Sequence, residues 1–491
     1  MNAASPDTWR LRPARVAGAR RPAAPANPSW AARPKSHAWI WIVLLFAGPP
    51  SGALAAQTSP RAGADASETR VLQTSMPSLD ALAAPVLPDA SLLQTLERDA
   101  ARVRAGQAAL QAAREQAHAL RAGPQEFTGR AQAQSRRIEA GPDAGRYTEW
   151  QLLLERPLRW PAQARADGQL AGATENLAAV GSGDAAHETQ RLLLQQWFEA
   201  QRGAAQAQLA TASAALVRTQ RDAMVKREQA GDASRLELEL AQAEFAREQA
   251  QAMLAVGQAE ASRQALLARF PAAAGAFAAA TRSPVAPQQP DTAARSGFQE
   301  TDPQAFEKLY VQRSHELALA RADWQRAQAL AEKAAAMRAP EPTVGVYVGS
   351  ERGGNERIVG LQFAMPFGGP SRSAQHQAAL AEAQAAEWRL RDVEDRLRAD
   401  FRSQWAQAQA QAAGAQALAT ASAAQNQAAT RMQRAYALGE ASFSDWLAAR
   451  RTALQTLRDA LAARYDAAHA SARLQLDAET LWGDMGGGHQ H

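Results

Sequence analysis

The side chains that do chemistry in proteins are thinly spread here, and their spacing argues against an enzyme. His118, His187, His315, His376 and His469 stand at no metal-ligand spacing, and His489 and His491 fall in a Gly-rich tail. There is no H-E-x-x-H, no P-loop, no G-x-S-x-G and no G-x-G-x-x-G after a strand-like run. With no cysteine, the chain lacks thiolate ligands, a disulfide framework and an N-terminal lipoprotein cysteine. No catalytic residue, metal ligand or cofactor is expected. The acidic and aromatic residues that do form a pattern sit at two turns. One reads Tyr436-Ala-Leu-Gly439-Glu440-Ala441-Ser442-Phe-Ser-Asp445-Trp-Leu, and the other Gln229-Ala-Gly231-Asp232-Ala233-Ser234-Arg235-Leu-Glu237. In each, Gly ends one helical run in the left-handed conformation and Ser caps the next. On its own pattern Asp445 complements a helix dipole and Tyr436 packs.

These turns belong to a duplication. Leu209-Ala-Thr-Ala-Ser-Ala-Ala215 recurs letter for letter as Leu418-Ala-Thr-Ala-Ser-Ala-Ala424, and Gln196-Trp197 answers Gln404-Trp405. Pro157-Leu-Arg-Trp-Pro161 likewise answers Pro366-Phe-Gly-Gly-Pro370. Matches in the same order at a near-constant offset mark two structural repeats.

The composition is that of long helices: rich in Ala, Gln, Arg, Glu and Leu, with 6% aromatic residues. The net charge of +5 is concentrated at the start, where residues 1–55 carry seven basic side chains against the single acid Asp7. That basic leader precedes the apolar run Ala38–Ala47 and Ala53-Leu-Ala55, which reads as a signal peptide too short to span a bilayer. The remaining chain is near neutral, which removes the case for nucleic-acid binding. Residues 56–87 read as a flexible extension, 88–271 as the first repeat, 272–302 as a Pro-rich linker, 303–483 as the second repeat and 484–491 as a flexible tail.

Each repeat opens with a helix, over about 91–121 and 303–338, and then changes period. Strands are expected at about 125–138, 147–157, 343–349 and 357–366. Trp150, Leu152 and Leu154 share one face, as do Val344, Val346 and Val348, and Val359, Leu361, Phe363 and Met365. Pro157 and Pro366 end strands, and Pro161 and Pro370 open very long helices at their first position. The first long helix is expected to run to about 230, interrupted at Gly181-Ser-Gly-Asp184. In the second, Leu390, Val393, Leu397, Phe401 and Trp405 recur at steps of three and four, the spacing of a coiled coil. Four strands are too few for a barrel, and an open sheet edge is not tolerated in lipid. Several chains must therefore pool their strands, with the long helices leading away from the membrane.

The order of elements, the P-x-x-x-P exits and the turn Tyr436-x-x-Gly439-x-x-x-x-x-Asp445-x-Leu447-x-Ala449 resemble the TolC-type outer-membrane efflux protein family over about residues 88–483. The first turn is similar to the subgroup serving heavy-metal cation exporters. The resemblance implies a mainly α fold with membrane β: a homotrimer with a twelve-stranded barrel in the outer membrane of a Gram-negative bacterium and a coiled-coil α-helical tunnel in the periplasm. It implies a periplasmic adaptor (membrane fusion protein) and, through it, an inner-membrane RND-type pump as partners. By motif position Tyr436 matches a gating tyrosine, Glu237 its acidic partner and Asp445 an acidic ring. The gating arginine's position is Ala441 and the second ring's is Ala448, so Arg434 or Arg235 would have to substitute, or the gate is looser. The turns Gly231-Asp232-Ala233-Ser234 and Gly439-Glu440-Ala441-Ser442 would dock the adaptor. Rival readings are a periplasmic coiled-coil structural or adaptor protein and the duct of a type I secretion system. The cargo is not legible.

Overall fold

The computed structural model describes residues 77–282 and 302–481. The expected signal peptide, most of the extension, the linker from 283 to 301 and the tail lie outside the described residues.

Two copies of one element series follow each other. The first is α1 (Ala90–Asp99), α2 (Ala101–Ala122), β1 (Thr128–Ile138), β2 (Gly145–Pro157), α3 (Pro161–Gln229) and α4 (Arg235–Arg269), with a short α5 (Ala274–Arg282) after it. The second is α6 (Pro303–Gln312), α7 (His315–Ala336), β3 (Thr343–Glu351), β4 (Glu356–Ala364), α8 (Pro370–Ala437) and α9 (Phe443–Asp477). Helix lengths match pair by pair: 10 and 10, 22 and 22, 69 and 68, 35 and 35 residues. Each long helix is about 100 Å at the standard rise, and its partners divide that length between them. The shorter helix before the strands and the return helix after the turn each pack along one part of it.

Sequence and structure part at five places. Each opening helix is two helices. The break at Ala100 is extended backbone, and the break at Arg313-Ser314 is made by Ser314, whose hydroxyl accepts from Leu317 N at 3.3 Å and starts α7 afresh. Gly181-Ser-Gly-Asp184 does not interrupt α3. It lies where neighbours come close: a Cβ on Gly183 would meet the His315 ring at 3.6 Å, and one on Gly106 would meet Ala185 Cβ at 3.2 Å. Residues 77–87, within the expected flexible extension, are tied to the bundle. Leu82 is buried with Leu194, Leu461 and Tyr465, and the Val86 carbonyl accepts from Trp197 Nε1 at 2.7 Å and Gln201 Nε2 at 2.9 Å. The expected linker begins as α5, which buries Phe277 edge-on to Trp197.

The duplicated tryptophans anchor equivalent cores. Trp197 packs with Leu93, Leu266 and Phe270, and Trp405 with Phe306, Phe401 and Leu397. Among the described residues no helix is long and apolar enough to cross a membrane.

Candidate functional site

The four strands form one antiparallel sheet in the order β1-β2-β3-β4. Its register decides which side chains share a face. Leu152 pairs with Val348 and Leu154 with Val346; Val346 pairs in turn with Leu361, Val344 with Phe363 and Val348 with Val359. Every apolar side chain singled out in these strands therefore projects from one side. That side is bare: Leu361 is 84% exposed, Val359 76%, Phe363 69% and Leu154 54%. No helix covers it.

The reverse face is polar. Arg130 pairs with Glu155 at 2.8 Å, Arg136 with Glu149 at 3.4 Å, and Gln134 Nε2 donates to Glu149 at 2.8 Å. The register thus answers why β1 is so basic: Arg130 and Arg136 lie opposite Leu153 and Tyr147, on the face that carries the carboxylates. The outward residues of β1 are small at first, Gly129, Ala131 and Ala133 beside Leu154, Leu152 and Trp150, and turn polar at the loop end, where Ser135 and Arg137 lie beside Thr148 and Arg146. On the reverse face Tyr347 lies over Gly360, where a Cβ would meet its ring at 2.4 Å. Glycine here lets an aromatic ring lie flat on the sheet.

Pro157 ends β2, and Pro161 and Pro370 are the first residues of α3 and α8. Pro366 lies just beyond β4. The joint between sheet and helices ties the repeats together: Leu158 N donates to the Pro342 carbonyl at 2.7 Å and Trp160 Nε1 to that of Pro340 at 2.8 Å. Asp167 holds Arg159 and also Lys333, the latter at 2.8 Å.

At the opposite end of the long helices both turns have the same geometry. Gly231 and Gly439 each have φ +78°, and Asp232 N and Glu440 N each close on a carbonyl five residues back at 2.8 Å. Each Ser caps the helix that follows and is capped in return. Glu237 N donates to Ser234 Oγ at 3.2 Å while Glu237 accepts from Ser234 N at 2.9 Å; the same box joins Asp445 and Ser442, at 3.1 and 3.4 Å. Both carboxylates are thus committed to their own helix ends within one chain.

Tyr436 stacks on Trp446 at 5.5 Å, nearly parallel, with Phe443 edge-on. Its hydroxyl accepts from Arg227 Nη1 at 2.8 Å, and Glu237 also bonds to it. Burial pushes the phenol above its ordinary pKa; Arg227 pulls it down and Glu237 pushes it up. Tyr436 and Glu237 therefore lie together at the tip with Arg227, an arginine that the sequence reading passed over. Arg434 is exposed, and Arg235 pairs with Glu239 at 3.2 Å. The repeat gave no signal for Arg227, since the turns align at an offset of 208 and Tyr436 answers Glu228.

A second polar cluster joins the repeats midway. His187 on α3 and His315 on α7 lie 4.9 Å apart between ring centres, the first on Asp477 at 3.4 Å and the second on Glu479 at 3.0 Å. Asp477 also takes Arg191 at 2.7 Å. Burial raises its pKa, but the bonds from His187 and Arg191 outweigh that and hold it below the ordinary carboxylate value. Dispersed in sequence, these two histidines are brought together by the fold. Among the described residues no three ligand-type side chains converge as a metal site would require.

No model of a protein family matches the sequence, and no curated protein matches it. Solved structures do match in fold. The outer membrane protein VceC of Vibrio cholerae aligns with TM-score 0.62 at 17% identity, over 80% of this chain and 95% of that one. The CmeC outer membrane channel of Campylobacter jejuni aligns with TM-score 0.64 at 13% identity, over 80% and 85%. The open state of the MtrE outer membrane channel of Neisseria gonorrhoeae aligns with TM-score 0.58 at 16% identity, over 83% and 90%. The chain shares the fold of these outer-membrane channels: long paired helices with a four-stranded antiparallel sheet at one end.

Proposed function

We propose that this protein is the outer-membrane duct of a tripartite efflux system, a passive homotrimeric channel that takes cargo from a periplasmic adaptor and an inner-membrane pump. The observation that carries the reading is the two-faced sheet: one side apolar and bare, the other lined with paired charges. A sheet in water has no reason to hold Val359, Leu361 and Phe363 outward, whereas a strand in lipid with a wet lumen behind it has this alternation.

The strands, 9 to 13 residues long, suit a tilted crossing of the hydrocarbon layer. β1 and β4 both end in unpaired edges and run in opposite directions, so β4 of one copy extends the antiparallel sheet by pairing with β1 of the next. One chain has four strands and the smallest barrels have about eight. Three copies give the twelve implied by the resemblance. The helices also keep apolar side chains for neighbouring copies, among them Leu236, Met253 and Leu254 on α4 and Leu380 and Trp388 on α8.

At the tip Tyr436, Arg227 and Glu237 hold the gate closed. Asp445 from each copy contributes charge at the mouth, and rings of carboxylates favour cations. The turns 231–234 and 439–442 dock the adaptor, since nothing lies within 4 Å of a Cβ on Gly231 or Gly439 and another helical hairpin can approach. Heavy-metal cations are the cargo that the first turn's resemblance favours. The soluble-adaptor reading leaves the sheet's apolar face unexplained.

Because the sequence has no cysteine, engineered pairs report cleanly. Cysteines at Gly129, Ala131 or Ala133 on β1, combined with Val359, Leu361 or Phe363 on β4, should cross-link between copies in intact cells. The expected product is a ladder ending at three chains, in a fraction that resists carbonate and yields to detergent. Protein that stays monomeric and washes off with carbonate would refute the channel.

A further inference from the structure

On the order of 10 Å above the tip, the helical wall gathers four arginines around two buried carboxylates, and one of the four is itself buried. The arginines are Arg247 on α4 with Arg450, Arg451 and Arg458 on α9, and the carboxylates are those of Glu244 and Glu248. Glu244 takes Arg247 at 2.7 Å and Arg451 at 2.6 Å. Glu248 takes Arg247 at 2.9 Å, Arg458 at 2.9 Å and the Ser213 hydroxyl at 2.8 Å. Neither carboxylate bonds to Arg450, which is 4% exposed. Its Nη1 donates to the neutral Gln220 at 2.6 Å, and its Nε has no partner. Burial, with Arg247 and Arg451 adding to it, holds its pKa below the ordinary arginine value against the pull of Glu244 and Glu248.

Arg450 lines a small cavity between α3, α8 and α9, together with Gln433, Gln220, Thr430 and Trp446. The amide nitrogen of Gln433 is also buried without a partner. Two residues lining the cavity therefore carry unused N–H donors, one on a buried cation, and the space suits a single small occupant. A water would accept both bonds but bring no counter-charge of its own, and Glu244 and Glu248 are already held by Arg247, Arg451 and Arg458. Phosphate and carboxylate ligands are too large.

We propose that this cavity binds a monovalent anion of chloride size, held by Arg450 and Gln433. The anion joins α3, α8 and α9 through one point. Trp446, which lines the cavity and also stacks on Tyr436, connects its occupancy to the tip. The site is complete within a single chain and does not depend on the channel reading.

The test uses the full-length, detergent-extracted protein. Crystals grown in bromide should show an anomalous peak within hydrogen-bonding reach of Arg450 Nε and Gln433 Nε2, lost in Arg450→Met. In solution the protein should broaden the chloride-35 resonance in a way that bromide competes away. Gln433→Leu keeps the arginine and guards against misfolding of the first variant; it should weaken chloride binding about tenfold, the loss of one hydrogen bond to an ion. A cavity without anomalous signal in bromide holds water and overturns the proposal. Equal broadening by all three forms would reflect adventitious surface binding and overturn it as well.

Discussion

Replacing Leu361 by arginine separates lipid from water more sharply than any other single change. Leu361 lies in the middle of β4, cross-strand from Val346 and flanked on its face by Val359 and Phe363. It is 84% exposed in one chain. In a soluble sheet an arginine there would project into solvent and change stability by no more than about 0.5 kcal/mol. On the lipid face of a barrel the same change costs about 2–4 kcal/mol near the midplane, and three copies closing one barrel would bear roughly 6–12 kcal/mol together. The control is Gln151→Arg, whose side chain leaves the reverse face opposite Gly349. That position is wet under either reading, so it should shift stability by about 0.5 kcal/mol or less. Heat-modifiable migration on gels reports barrel assembly, and denaturant unfolding in lipid vesicles reports the energy. The expected result is severe loss of assembled protein for Leu361→Arg beside near-normal Gln151→Arg. Equal behaviour of the two would refute the assignment of the faces.

Two further outcomes follow from the ion pairs. Asp477→Asn should destabilise the bundle by about 2 kcal/mol at neutral pH, because Arg191 keeps Glu188 and Glu316 but loses its most buried carboxylate. Because the folded pKa of Asp477 is depressed, its contribution is complete above the unfolded value of about 3.9 and is lost as pH falls through the folded one. The gap between wild type and Asp477→Asn in thermal midpoint should therefore be constant above about pH 5 and close below pH 4. At the tip, Arg227→Ala should raise single-channel conductance in planar bilayers while Arg434→Ala leaves it unchanged; the reverse ranking would return the gate to Arg434.

Much of this fold can be read in the sequence because its rules are local. A Gly followed by a capping Ser, a Pro at the first helical position and alternating valines each announce one element end or one face. What escaped reading depends on partners far away in the chain. The sequence of β1 is rich in arginine, and only the register shows that Arg130 and Arg136 reach Glu155 and Glu149 on the reverse face. Residues 77–87 have the composition of a disordered leader, yet Leu79, Leu82 and Leu87 tuck against helices more than a hundred residues on. His187 and His315 share no spacing rule because each comes from a different repeat. The split at Ser314 was within reach, since a serine before His315-Glu-Leu is an ordinary helix start.

The tip contact joins the two repeats without joining equivalent residues, and it can be checked as a pair. The turns align at an offset of 208, so Tyr436 answers Glu228 and Ala435 answers Arg227, as the matching bonds that close the two turns also show. Glu237 and Asp445 do correspond, each the carboxylate of its own capping box. Arg227 donates to the Tyr436 hydroxyl at 2.8 Å and lies 5.5 Å from its ring centre. Arg227→Ala alone and Tyr436→Phe alone should each loosen the tip. The double variant should lose less than the sum of the two, with a coupling energy of about 0.5–3 kcal/mol in the cycle. Trp446 and Phe443 still flank the ring at position 436 in Tyr436→Phe, so that variant reports the hydroxyl and not the stack. Amide exchange across 224–240 and 432–448 measures the effect. If the double variant loses the plain sum of the two single losses, the residues do not act as a pair, and the contact plays no part in holding the tip closed.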